Sequence, residues 1–151
     1  MGQEGYPLSR ERAMSEQPLQ GSIPVLTAML LCDMVITDPD SRKKTLVGIF
    51  SVLRSLEFPA RRTMAVYARM TDAQGRYVFR LELVDIERDR VLADGVSDPA
   101  EIRDRLGSFD FALPITVTLE NPGLYEFRLY ANSAYLGRTT FSAMAVESKG
   151  G

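Results

Sequence analysis

Asn121-Pro122-Gly123-Leu124-Tyr125-Glu126-Phe127-Arg128-Leu129-Tyr130 joins a Pro-Gly turn directly to a run that alternates apolar and polar residues. In an extended chain Tyr125, Phe127 and Leu129 point one way, while Glu126 and Arg128 point the other. A Tyr at the head of a strand, just after Pro-Gly, has the form of a tyrosine corner. There the phenol bonds backbone a few residues upstream and closes a Greek-key crossover. The stretch therefore predicts an all-β fold, a Greek-key (immunoglobulin-like) β-sandwich. It describes architecture and carries no chemistry.

Outward from this point, turn signals recur at intervals near ten residues and delimit eight strands. Val25 to Thr37 is long and mostly apolar, as expected of a central strand. After the turn residues Asp38 to Ser41, the basic Arg42-Lys43-Lys44 reads as a solvated hairpin tip. Thr45 to Leu53 follows, with Gly48 marking a bulge or a close backbone approach. The next strands are Thr63 to Met70, Arg76 to Ile86 and Val91 to Val96. Phe109 to Leu119 contains Pro114, which places a break or an edge there. Leu124 to Ala131 and Ala134 to Val146 complete the set. One interruption stands out. Asp98-Pro99-Ala100-Glu101 reads as a capped helix start and Gly107 as a stop, which predicts one short helix over Pro99 to Leu106.

These elements assign residues 24–147 to one β-sandwich domain, 1–23 to a flexible N-terminal tail and 148–151 to a C-terminal stub. Met14 offers a translation start alternative to Met1. The final Gly150-Gly151 matches the ending of ubiquitin-like modifiers. The long helix those folds need has no counterpart in the pattern, so a flexible end is the simpler reading.

Composition excludes much. The chain has 151 residues, 45% hydrophobic and 25% charged, with formal net charge −2, so nothing in it attracts nucleic acid or anionic lipid at long range. There is no His, which removes the commonest general base and metal ligand. The single Cys32 lies in an apolar run and reads as a small buried hydrophobe. That usage fits a reducing, cytoplasmic setting. Lysine is confined to Lys43, Lys44 and Lys149. The longest apolar run, Val25 to Ile36, is broken by Thr27 and Asp33 and falls short of a membrane span of about 20 residues. The expectation is a protein that is not an enzyme and uses no cofactor, no metal, no nucleic acid and no membrane.

Several runs together resemble a family. Leu31-Cys32-Asp33, Thr45-Leu46-Val47-Gly48-Ile49-Phe50, Arg80-Leu81-Glu82-Leu83-Val84-Asp85, Pro122 to Leu129 and Phe141 resemble an uncharacterised bacterial β-sandwich family, a domain of unknown function. The resemblance covers Met29 to about Val146. It implies a sandwich and no catalytic residues.

Three candidate functions follow. Tyr67, Tyr130 and Tyr135, with Arg69, Arg80 and Arg128, fall on faces opposite the core stripes and form a candidate interaction face. Tyr and Arg are the residues that interfaces favour. The plainer reading is cross-strand pairing on a solvated sheet, with Arg beside Glu82 or Glu126. This supports a non-catalytic protein-binding or assembly module, acting on a protein partner or on itself through a sheet face or an edge strand. The alternative is a small-ligand or calcium-assisted binding domain using Asp38, Asp40, Asp72 and Asp98, since Ca²⁺ takes six to eight oxygens. Against it, Asp populates turns simply by bonding its own backbone. A carboxylate-based hydrolase ranks third.

Overall fold

Period-two alternation becomes strand almost throughout the chain. In the computed structural model, which describes residues 21–147, these are β1 (Val25–Cys32), β2 (Met34–Thr37), β3 (Lys44–Val47), β4 (Val52–Ser55), β5 (Ala60–Thr71) and β6 (Gly75–Tyr77). They continue with β7 (Phe79–Asp85), β8 (Arg90–Val96), β9 (Ala100–Ile102), β10 (Ser108–Leu119), β11 (Gly123–Ala131) and β12 (Ala134–Ala145). Among the described residues there is no helix.

Two larger sheets carry the architecture. One has the order β1-β5-β10, the other β4-β12-β11-β7-β8, and two-stranded ladders β2-β3 and β6-β9 flank them. Every pairing is antiparallel except β4 with β12. Met64, Val66, Ala68 and Met70 of β5 join Phe79, Leu81 and Leu83 of β7 and Tyr125, Phe127 and Leu129 of β11 in one buried cluster. Phe141 stacks between Tyr125 and Phe127, with ring centroids 5.6 and 5.8 Å away. Each such fully buried side chain contributes about 1.5–3 kcal/mol, so this cluster is the main stabilising feature. The Tyr125 hydroxyl donates to the Asn121 carbonyl, four residues upstream, as a tyrosine corner requires.

The strands depart from the expected layout in three places, each with a physical cause. Eight expected strands become twelve because long runs divide. The first divides at Asp33, whose amide bonds the Val47 and Gly48 carbonyls instead of continuing the ladder. Gly48 ends β3 with φ +71°, and a Cβ there would lie 2.2 Å from Asp33 Oδ2, so the close approach expected of this glycine is real. The Arg76 to Ile86 run divides at Val78. Asn132 holds Val78 by accepting from its amide at 2.9 Å and donating to its carbonyl at 3.0 Å, and this frees β6 to pair with β9.

The helix over Pro99 to Leu106 is replaced by β9 and a turn. Eight residues are too few to repay helix nucleation. Ala100 and Ile102 pack against the core while Glu101 faces out, which is a strand's alternation. Gly107, expected as the helix stop, closes the turn instead, its amide donating to the Asp104 carbonyl at 3.3 Å, while Asp104 accepts from the Leu106 amide at 3.0 Å. Lastly, β1 is an edge strand and β5 is the central one. Pro114 does lie on an edge, in β10.

Residues 1–20 and 148–151, with the Met14 start and the Gly150-Gly151 ending, lie outside the described residues. Ser22, assigned to the tail, is tied down. Its carbonyl accepts from Tyr77 Oη at 2.6 Å and its amide donates to the Gln74 carbonyl at 3.2 Å.

Candidate functional site

The six candidate face residues divide between two surfaces. Tyr67 and Arg69 alternate with Val66, Ala68 and Met70 and so lie on the outer side of β1-β5-β10. Arg80, Arg128, Tyr130 and Tyr135 alternate with Leu81, Phe127 and Leu129 and lie on the outer side of the five-stranded sheet. The core separates the two groups. A single face holding all six does not exist, because alternation specifies which residues share a strand face but not which sheet the strand joins.

On the five-stranded sheet, strand register builds a network in which three arginines pair with two glutamates. Arg128 stands opposite Glu82 on one side and Arg138 on the other, and Tyr130 stands opposite Arg80 and Tyr135. Arg80 pairs with Glu82, and its guanidinium lies 4.2 Å above the Tyr130 ring centroid. Tyr130 Oη donates to Glu82 Oε1 at 3.0 Å, and Tyr130 meets Tyr135 edge to face at 5.7 Å. Glu126 is only 2% exposed, held by Arg128 and by Arg138 at 3.4 Å. Burial raises the Glu82 carboxyl, but the bonds from Arg80 and Tyr130 outweigh it and leave the group below its ordinary value. Burial and the Glu82 acceptor both push the Tyr130 phenol up. The Glu126 bond raises the Arg128 guanidinium. The cross-strand pairing expected of Arg beside Glu82 or Glu126 is thus present, and Tyr135, 53% exposed, projects from it.

The three-stranded face is organised by Asp110. It accepts from Tyr67 Oη at 2.9 Å and from Lys44 Nζ at 2.7 Å. Burial raises its carboxyl, and these two bonds reverse that and lower it. Lys44 is therefore a clamp joining β3 to β10, not part of a solvated tip. Arg69 donates to Ser108 at 3.1 Å. Asp110, Lys44, Arg138 and the burial of Glu126 were missed in the sequence. Each depends on which strands are neighbours, and only the charges themselves were visible.

The four turn aspartates occupy three loops, with Asp38 and Asp40 sharing the β2-β3 turn and Asp72 and Asp98 in two others. Asp38 accepts from the Ser41 hydroxyl at 2.6 Å and the Asp40 amide at 3.2 Å, which lowers its carboxyl. Asp72 accepts from the Thr71 hydroxyl at 3.1 Å. Among the described residues no three His, Cys, Asp or Glu groups converge as a metal site. Cys32 is buried, and burial, then the Asp33 charge, raises its thiol. A hollow of about 300 Å³ lies under the β2-β3 hairpin, lined by Asp33, Thr37, Thr63, Ala65 and Pro114 among others. Among the described residues β8 and β10 end their sheets with an apolar seam between them, and Ala112 borders both this seam and the hollow. Among the described residues no helix is long and apolar enough to cross a membrane.

Residues 27–144 match the family of unknown function DUF6941, and the chain belongs to that family. No curated protein matches it in sequence. Among solved structures, it is similar to a β-glucosidase from Listeria innocua in complex with isofagomine, at TM-score 0.42 and 11% identity. That similarity covers 66% of this chain and 15% of the glucosidase, so the chain spans only a small part of that protein. It is similar to the CARDB domain of a Pyrococcus furiosus protein in complex with di-metal ions, at TM-score 0.43 and 9% identity, covering 86% and 95% of the two chains. The third is the Pseudomonas fluorescens alkylpurine DNA glycosylase AlkC bound to DNA, at TM-score 0.40 and 12% identity, covering 78% and 30%. At these values no activity, ligand or metal carries over.

Proposed function

We propose that this member of the family of unknown function DUF6941 is a non-catalytic contact module, built as a Greek-key, immunoglobulin-like sandwich, that binds another protein through a sheet face or an edge strand. The corner at Tyr125, the non-sequential order β4-β12-β11-β7-β8 and the core shared by two sheets support the architecture. The observation that carries the function is the outer face of the five-stranded sheet. Its Arg, Glu and Tyr side chains are already held by one another, so a partner docking there loses little side-chain entropy. Because the charges of this face pair with one another, it favours recognition by shape and aromatic contact around Tyr135 over recognition of a charged polymer. A cytoplasmic setting fits a chain whose single cysteine, Cys32, is buried.

A photo-crosslinking residue at position 135, in cells that make the protein, tests the reading. One recurrent protein adduct is expected from that position and none from position 40 in the β2-β3 turn. Equal labelling from both positions, or none from 135, refutes it. A second, small-ligand reading is favoured by the hollow under the β2-β3 hairpin, where Asp33 and two threonines line a space at the small end for ligand pockets. A screen of small amines and hydroxylated compounds by thermal shift tests it, and no stabilisation lost on Asp33→Ala removes it.

A further inference from the structure

We propose that the seam between β8 and β10 takes an extended segment of a partner protein as an added strand on β10, with apolar side chains at alternate positions entering the core. The inference rests on the contact-module reading and names the partner's chemistry.

The direction of the backbone groups carries it. The Leu31 carbonyl accepts from the Phe50 amide at 3.0 Å, so Leu31 faces away from β5 and its neighbour Cys32 faces Ala65. Ala65, Tyr67 and Arg69 therefore aim their backbone groups at β1, and Thr27 Oγ1 bonding the Arg69 carbonyl at 3.1 Å agrees. Met64, Val66, Ala68 and Met70 are left to serve β10, through Ile115, Leu113, Phe111 and Phe109. By the same alternation, Ser108, Asp110, Ala112, Pro114, Thr116 and Thr118 present their backbone groups to the open edge. Pro114, which has no amide to donate, sits where the lack costs the sheet nothing. Among the described residues these groups have no backbone partner, and such a row at two-residue spacing, lacking a donor only at Pro114, is matched by another main chain, not by a small molecule.

Side chains say what that main chain must carry. Beside the β10 edge the seam is floored by Leu81, Leu83, Leu113, Ile115 and Phe127, in two adjoining hollows of about 170 and 100 Å³. No floor residue is ionised, so the inward side chains of a docked strand must be apolar. The opposite lip is cut low, because β8 turns Ala93 and Gly95 inward. A Cβ on Gly95 would meet nothing within 4 Å. From Phe111 to Val117 the groove runs six residue steps, about 20 Å, the length of an ordinary strand. A second copy of β10 fits poorly, since two-fold pairing brings two prolines onto one ladder and loses both their bonds.

The test titrates isotope-labelled full-length protein with an eight-residue peptide, Thr-Val-Thr-Val-Lys-Val-Thr-Val, and follows amide hydrogen exchange. Slowing of about tenfold or more is expected at Ala112, Thr116 and Thr118, and none at Asp40. A peptide of the same composition with its apolar residues paired in sequence has no effect. Gly95→Val fills the groove, needs no unusual backbone angle, and abolishes the slowing while circular dichroism and the melting midpoint hold. Ala112→Pro removes one outward amide and weakens it. No slowing, equal binding of the paired peptide, or full binding by Gly95→Val overturns the proposal. So does slow exchange at these amides before peptide is added. If that slowing ignores protein concentration, the chain's own residues fill the seam; if it rises with dimer mass, a second copy does. A failed titration with the position-135 adduct intact overturns the seam alone, and loss of both overturns the contact module.

Discussion

Removing Arg128 should destabilise the protein more than removing the carboxylate it pairs with. Glu126 is 2% exposed, whereas the side chains of Arg128 and Arg138 are 34% and 62% exposed. Arg128→Met keeps the aliphatic stem but strands a carboxylate that cannot reach water. An unpaired buried charge costs about 3–5 kcal/mol. Arg138 remains 3.4 Å away and recovers part of that, so about 2 kcal/mol is expected. Glu126→Leu deletes the buried charge and sets an apolar group opposite buried Val84, while both guanidinium groups can turn to water. That change should cost about 0–1 kcal/mol. The double variant should be more stable than Arg128→Met alone, a coupling of at least about 1 kcal/mol. Urea melts of the four proteins at neutral pH measure this, provided the m-value is constant across the set. If Glu126→Leu costs more than Arg128→Met, or the two effects simply add, the asymmetric-burial argument is wrong.

Other outcomes follow from the same geometry. Tyr125→Phe keeps the ring stacked on Phe141 but orphans the Asn121 carbonyl, and should lower stability by about 1–3 kcal/mol in a urea melt. A loss below about 0.3 kcal/mol would show that the corner bond contributes nothing. Gly48→Ala should cost about 1–2 kcal/mol for its positive φ, whereas Gly95→Ala, with open space around the new methyl, should be neutral or stabilising by up to about 1 kcal/mol. Equal effects at the two glycines would refute the distinction. Glu82 and Asp110 are lowered in the folded chain, so their stabilisation is complete above the ordinary carboxylate values of 4.5 and 3.8 and drains away as pH falls below them. The urea midpoint should therefore drop on acidification through this window, and Glu82→Gln should flatten part of the drop. At the alkaline end Tyr130 and Tyr67 are raised, so their contribution persists below about pH 10 and is lost above it.

Local patterns carried far, and the places where they stopped are instructive. The tyrosine corner, the turn before it and the edge position of Pro114 follow from three or four adjacent residues, because the backbone rules involved are local. The helix over Pro99 to Leu106 failed because eight residues are too few to repay nucleation, and Ile102 found a partner in Gly75 across 27 residues. Val25 to Thr37 looked central because it is apolar. It lies at an edge and divides at Asp33 because β3 captures that amide. The Tyr and Arg residues were correctly separated from the core. Their division between two surfaces depended on β5 and β7 joining different sheets.

Side-chain alternation and turn chemistry are properties of neighbouring residues, and they made this chain all-β, with Tyr125 facing inward and Arg80, Arg128 and Tyr130 outward, before any strand was paired. The choice of neighbours across 23 to 90 residues is a contest among many apolar strands of similar affinity, and only packing resolves it. That packing buried Glu126 between two arginines, fastened Lys44 to Asp110, and left β8 and β10 unclosed among the described residues, since long-range pairing energy cannot be read from either partner alone.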